Sequence, residues 1–362
     1  QPQLCPDDGN VCTSYACDPA DGCVMNTSLQ DGLPCLFGDL AGVCGAGECE
    51  PETLPLVPCS EQGIADAMAV GGGKFACDVP TKVVATAQIV IDDEVILDGG
   101  GNLIIEGDGT ESVVVVSPNV KAKLRGVKVT GGGGVDFGGG IYNEGTLTLT
   151  NSIVSGNVAR IAGGGIYSTG MLSLHLEDGA IVTGNAAAYG GGIYNLGTAT
   201  VSDCTVSGNI ASSGGGGVYN DGTLMLNNCT VSENSAPYGG GLWNNGTLVL
   251  NNGIVAQNVG EWGAAGILAY EGTVTLNSTV VTGNGPVDPA TAGPAGGIGV
   301  LQAATATLNR SFVSANVASS GGGIASEGAV TLTSTTIAGN YAKVDGGGIS
   351  SAVLGGKDLN VR

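Results

Sequence analysis

From Gly138 to Asn157 the chain reads Gly-Gly-Gly-Ile-Tyr-Asn-Glu-Gly-Thr-Leu-Thr-Leu-Thr-Asn-Ser-Ile-Val-Ser-Gly-Asn. A glycine run ends in an apolar residue, a turn follows, then a strict polar–apolar alternation, then a second short apolar run ending in Gly-Asn. The unit returns to the end of the chain. Its apolar anchor, the residue closing each glycine run, falls at Ile141, Ile166, Ile193, Val218, Leu242, Ile267, Ile298, Ile324 and Ile349, in steps of 25, 27, 25, 24, 25, 31, 26 and 25 residues. A period in this range describes a solenoid, in which each unit buries its apolar face only against its neighbours.

Aligned on the anchors, the alternating run supplies two apolar columns, beginning Leu147/Leu149, Leu172/Leu174, Ala199/Val201 and Leu224/Leu226, and the next run supplies a third, Val154, Val182, Val206, Val231, Val255, Val281, Val313 and Ile337. Alternation turns these inward and their neighbours outward. Three short strands per turn then wind into a coil, and stacked coils pair in parallel about 4.8 Å apart. Parallel crossovers are right-handed in about 98% of cases, so the expected fold is all-β, a right-handed parallel β-helix. Asn recurs after the third strand at Asn157, Asn185, Asn209, Asn234, Asn258, Asn284, Asn316 and Asn340. Asn tolerates a left-handed corner, and its amide can bond to the same amide one coil on, so a structural Asn ladder is expected. Cys204 and Cys229 each lie 11 residues past an anchor. They should stack in neighbouring coils within disulfide reach, and a bridge is expected.

The segments before the solenoid differ. Residues 1–50 hold seven cysteines among turn signals and read as a disulfide module too small for a core of its own. The count is odd, so one thiol is free, pairs later in the chain or bridges to another molecule. There is no Cys-x-x-Cys pair and no nearby His, so no metal is assigned. Residues 51–81 read as a linker and an N-terminal cap. A short helix from Ser60 to Val70 is N-capped by Ser60, shares Ile64, Ala67 and Met68 on one face, and stops at Gly71-Gly72-Gly73. Cys59 and Cys77 are expected to pair, clasping the helix over the open end of the coil. Residues 82–362 form the β-helix, with one proline-bearing insertion at 285–296.

Composition narrows the function. Gly is 67 of 362 residues without a three-residue period, which excludes collagen. The formal net charge is −21, which disfavours nucleic acid and anionic membrane as partners. No apolar run approaches the roughly 18 residues of a membrane span. Eleven cysteines in so acidic a chain suggest an oxidising compartment. With Gln1-Pro2 at the start, the expectation is a processed, secreted or surface protein.

Gly-Gly-Gly-Ile at 138–141 with Val-Ser-Gly-Asn at 154–157, repeated, resembles the β-helical repeats of the chlamydial polymorphic outer-membrane proteins and of related secreted bacterial β-helix proteins, over roughly residues 59–362. The resemblance implies surface display, adhesion or a structural role. Two features depart from it: the Phe-x-x-Asn signature stands here as Val/Ile-x-x-Asn, and no stretch at the C-terminal end resembles a membrane barrel.

Catalysis would need several carboxylates converging on a strand face with a basic partner. The column two past the anchor (Asn143, Ser168, Asn195, Asn220, Asn244) holds no acid, the densest acids (Asp92, Asp93, Glu94, Asp98) have no basic neighbour in sequence, and His175 is the only histidine. The protein is therefore expected not to be an enzyme and to use no cofactor. The better binding candidate is Tyr142, Tyr167, Tyr194, Tyr219 and Trp243, one past each anchor, either an outward strip for sugar rings or a partner protein, or a structural stack. The function expected is that of a structural or adhesive extracellular β-helix, self-associating head to tail through its last coil or meeting a cell-surface or glycan partner. The alternative is a carbohydrate-binding or polysaccharide-cleaving, pectate-lyase-like β-helix.

Overall fold

The structure, a computed structural model, describes residues 53–172, 180–288 and 293–351 with side chains, and the backbone alone of the strands within 14–51, 173–175 and 359–361. The disulfide pattern of residues 1–50, the fate of the odd cysteine and the orientation of the His175 side chain lie outside the described residues.

Eleven parallel strands, from Ile89–Ile91 to Ile349–Ser351, form the first sheet, one strand per turn. Every anchor pairs with the next, as Ile141 with Ile166 and Ile193 with Val218. Five-residue strands such as Thr146–Thr150 form the second sheet and three-residue strands such as Ile153–Ser155 the third. Leu147 lies beside Leu172, Leu226 beside Leu250, and Val206 beside Val231, so the three apolar columns run inside as the alternation requires. Among the described residues their side chains, Ile337 excepted, are almost wholly removed from water and join one continuous core. Each buried Leu or Ile contributes roughly 1.5–3 kcal/mol. The chain is a right-handed parallel β-helix.

Most turns carry a fourth strand where three were expected. Val135–Phe137, Ala159–Ala162, Ala186–Tyr189, Ile210–Gly214, Ser235–Ala236 and Val259–Gly260 make a six-stranded sheet. Its inward residues include Ala159, Ala162, Ala187, Ala211 and Ala236, all buried. Alanines carry no hydrophobic signal strong enough to mark so short a strand, which is why periodicity missed it.

The N-terminal cap forms as its residues dictate. Helix α1 spans Glu61–Ala69, the Ser60 hydroxyl accepts from the Gly63 N–H at 3.1 Å, and Gly71 takes the left-handed conformation after it. Ile64 and Ala67 are buried and Met68 packs beside them on the first coils. Cys59 and Cys77 form a disulfide with Cα atoms 5.3 Å apart. Glu61 ties the cap to the coil by accepting from both the N–H and the hydroxyl of Thr86, which holds its carboxyl below the usual range.

Cys204 and Cys229 do lie over one another, but as buried free thiols, not as the expected bridge. They occupy a corner column filled in other coils by Ser152, Thr279, Ser311 and Thr335. Each of those hydroxyls bonds back to two carbonyls, as Thr279 does to Leu250 O and Asn277 O. The Cys229 thiol does the same, donating to Val201 O at 3.5 Å and Asn227 O at 3.4 Å. The column takes small residues, Ala180 and Gly253 among them, and where it holds a donor that donor is aimed at the backbone, so Cys229 stands in for serine. A hydrogen bond with the Cys229 thiol, and then burial, push the Cys204 thiol well up, away from the reactive thiolate.

Candidate functional site

Three columns of side chains stand out along the coil, one of them the aromatic binding candidate, and the structure separates them by where their polar atoms and ring faces are spent. The Asn157–Asn340 column is a closed ladder. Asn209 donates Nδ2 to Val182 O at 2.9 Å and to Asn234 Oδ1 at 3.0 Å, while its own Oδ1 accepts from the N and Nδ2 of Asn185. The pattern repeats to Asn340. With two donors and a doubly accepting oxygen used, no ligand valence remains. These residues do not take the left-handed conformation expected of them. The residue before each does: Gly156, Gly184, Gly208, Glu233, Gln257, Gly283, Ala315 and Gly339. The ladder also explains the glycine runs. A Cβ on Gly192 would lie 2.9 Å from Asn209 Nδ2 and 2.6 Å from Gly217 O, so only glycine lets the amide sit against the next turn.

The column two past the anchor, read in the sequence only for its lack of acids, is a second interior ladder. Asn195 donates to Asn220 Oδ1 at 2.8 Å and Asn220 to Asn244 Oδ1 at 2.7 Å, all fully buried. A third, Asn227, Asn251, Asn277 and Asn309, runs half-buried on the outer face with its donors pointing the opposite way along the chain.

The aromatic candidates form a stack. Ring centroids are separated by 5.3 Å between Tyr142 and Tyr167, 5.4 Å between Tyr167 and Tyr194, 4.7 Å between Tyr194 and Tyr219, and 5.3 Å between Tyr219 and Trp243. Tyr270 extends the row, 5.2 Å beyond Trp243. It lies three past its anchor rather than one, so alignment alone passed over it. A flanking row packs edge-on or tilted against the first through Phe137, Tyr189 and Tyr238, and Trp262 extends it, edge-on to Tyr238. Interior rings of the stack cover one another's faces and leave only edges to solvent. Along that edge the Tyr194 hydroxyl donates to Asp221 Oδ2 at 2.7 Å, Asn245 donates to Asp221 Oδ1 and to the Tyr219 hydroxyl, and the Trp243 indole donates to Asn245 Oδ1. Burial, then the Asp221 bond and charge, push the Tyr194 phenol far above its ordinary value. Burial and Asp221 push Tyr219 up to about 12.

Where the stack ends, a groove opens. The ladder position after Trp243 is filled by Leu268, Gly299, Ala325 and Ser350 in successive turns. Replacing rings with small side chains leaves a hollow of about 610 Å³. Trp243, Trp262, Tyr238 and Tyr270 wall one end, and Glu327 and Asp345 stand at the other. A smaller hollow of about 280 Å³ lies across the Tyr238–Trp262 pair. The sequence signal was there, in the loss of aromatic residues from one column, but only the flanking loops show what encloses it.

The early-coil acids gain bases one turn away. Asp98 lies in register between Lys74 and Arg125, Glu94 is 3.9 Å from Lys121, and Glu106 is 2.9 Å from Lys82. The stacking pairs residues some 25 positions apart, which a reading along the chain misses. These pairs are exposed, and each contributes about 0–1 kcal/mol.

No curated protein and no solved structure matches this chain. The family model described as the right handed beta helix region matches residues 138–313, just under half of the chain and the most regular of its turns. With eleven stacked strands in the first sheet, the protein is a right-handed parallel β-helix repeat protein.

Proposed function

We propose that the protein is a non-catalytic, extracellular β-helix with a structural or adhesive role, akin to the surface-displayed repeats that its glycine-anchor and Val-Ser-Gly-Asn pattern resembles. The observation that carries this reading is the concentration of aromatic side chains. Ten of the chain's 15 aromatic residues gather in two adjoining rows along one edge of the rod. A core does not need them there, and half-buried aromatic edges are the usual material of contact surfaces. End-to-end assembly belongs to the same reading, since every coil offers its neighbour the same parallel edge. An oxidising location fits the Cys59–Cys77 disulfide.

Binding of the purified protein to intact cells and to a glycan array, beside light scattering and electron microscopy, tests the proposal. Binding that is lost when Tyr189 and Trp262 are changed to Ser supports it. Turnover of a polysaccharide that disappears with Asp98→Asn replaces it with an enzymatic function, and monodisperse monomers at high concentration remove assembly from it.

A further inference from the structure

We propose that the groove beyond Trp243 binds an organic cation, an ammonium group carrying apolar substituents. This goes beyond the adhesive reading and stands or falls apart from it. Four aromatic side chains wall one end, and among the described lining residues none is lysine or arginine, while Glu327 and Asp345 supply negative charge. The rings are not equally available. Trp243 is sandwiched between Tyr219 and Tyr270, whereas Trp262 is 62% exposed and Tyr270 42% exposed. Tyr238 props Trp262 edge-on at 6.0 Å and Trp243 backs Tyr270 at 5.2 Å, so the open rings are held in place before any ligand arrives.

Ring faces carry negative electrostatic potential, and a desolvated cation is drawn to them. The whole chain adds to the pull, since a net charge of −21 enriches cations at its surface. The floor decides against a neutral sugar. Leu268, Gly299, Ala325, Ala264 and Ala295 line most of it and offer no side-chain donors or acceptors; Ser320 and Ser350 also reach the groove, and the Ser326 hydroxyl is already spent on Gly328 O, which leaves few partners for a ring of hydroxyls. Methyl or methylene groups around a quaternary nitrogen need none. The volume, about 610 Å³, suits a small organic ligand, for which sites span roughly 300–1,000 Å³.

The chain's two tryptophans, Trp243 and Trp262, both line the groove and also the smaller hollow beside it, so intrinsic indole fluorescence reports on this region, and a substitution at Ala325, which lines only the groove, tells the two hollows apart. The experiment titrates the full chain with choline, with its neutral isostere 3,3-dimethylbutan-1-ol, and with cellohexaose. Choline is expected to give a saturable change in indole emission, with the isostere at least about tenfold weaker. Ala325→Tyr places a ring in the hollow and is expected to abolish the change with the melting temperature kept. The exposed pair Glu327→Gln/Asp345→Asn, which leaves the fold untouched, is expected to weaken choline by at least about threefold and decides the matter should Ala325→Tyr unfold. Equal binding of the isostere, binding of cellohexaose in place of choline, or no response to choline overturns the proposal.

Discussion

The side-chain amide of Asn209 donates to the side-chain amide oxygen of Asn234 at 3.0 Å, one turn further along the helix and wholly shut off from water. That bond ties two turns through their interior rather than through the strand ladder, and its repetition turns a wound tape into a rod. Removing one rung orphans its neighbours. In Asn209→Ala the N–H and Nδ2 of Asn185 both lose their acceptor. A buried unpaired polar group costs about 1–3 kcal/mol, so the variant is expected to lose about 3–4 kcal/mol in a urea melt. A loss under about 1 kcal/mol would mean that water or backbone shifts replace the rung.

The second interior ladder has a flaw that can be mended. The Oδ1 atoms of Asn143 and Asn195 are buried without a donor. Upstream of Asn143 stands Val116, which has nothing to give. Upstream of Asn195 stands Ser168, whose hydroxyl accepts from Asn143 at 2.9 Å and donates to Gly170 O. Ser168→Asn offers Asn195 the amide donor that Asn195 itself offers Asn220. It is expected to raise stability by about 1–2 kcal/mol, read as a higher urea midpoint with an unchanged slope.

Backbone strain gives a prediction of the same sign. Ala315 holds φ at 52° at a corner where most turns place glycine. An L-residue there costs about 1–2 kcal/mol, partly offset by the entropy glycine loses on folding. Ala315→Gly is expected to stabilise by about 0.5–1 kcal/mol, and a lower thermal midpoint would show that the Ala315 side chain contributes packing of its own.

The tyrosine stack sets a limit at alkaline pH. Tyr142, Tyr167, Tyr194 and Tyr219 all hold their protons above the ordinary phenol value, chiefly because they are buried. The unfolded chain releases these protons near pH 10, the folded chain only higher. Between the two the unfolded state binds fewer protons, so stability is intact below about pH 10 and falls as pH rises beyond it. Tyrosinate absorbance and circular dichroism followed together should change in one transition. Free titration of these phenols near pH 10 in a folded chain would refute the stack.

Most of this architecture is legible in the sequence because a solenoid repeats its physics. Leu147 and Leu172, or Asn157 and Asn185, meet the same surroundings turn after turn, so an alignment of the chain with itself is already a contact map. The features that escaped are those that repetition does not mark. The fourth strand is built on small inward residues such as Ala159 and Ala162. Tyr270 reaches the stack from a displaced position. Lys74, Asp98 and Arg125 meet only because turns stack. Cys204 and Cys229 have the spacing of a bridge, but they sit in a corner of small residues where the Cys229 thiol donates to backbone carbonyls instead. The groove depends on loops of unequal length and on rings meeting across them, which no column of residues encodes.

Everything said of ladders, stack and groove depends on which residue lies over which. On the outer face of the second sheet Thr200 sits directly beside Met225, and Met225 beside Val249. Neighbouring turns lie about 4.8 Å apart and alternate turns about twice that, on either side of the roughly 4.4–6.8 Å window of a disulfide. The deciding measurement is mild oxidation of Thr200→Cys/Met225→Cys and of Thr200→Cys/Val249→Cys, read by peptide mapping. A near-complete cross-link in the first pair and none in the second is the expected result; a cross-link in the second, or none in the first, contradicts the register and everything built on it.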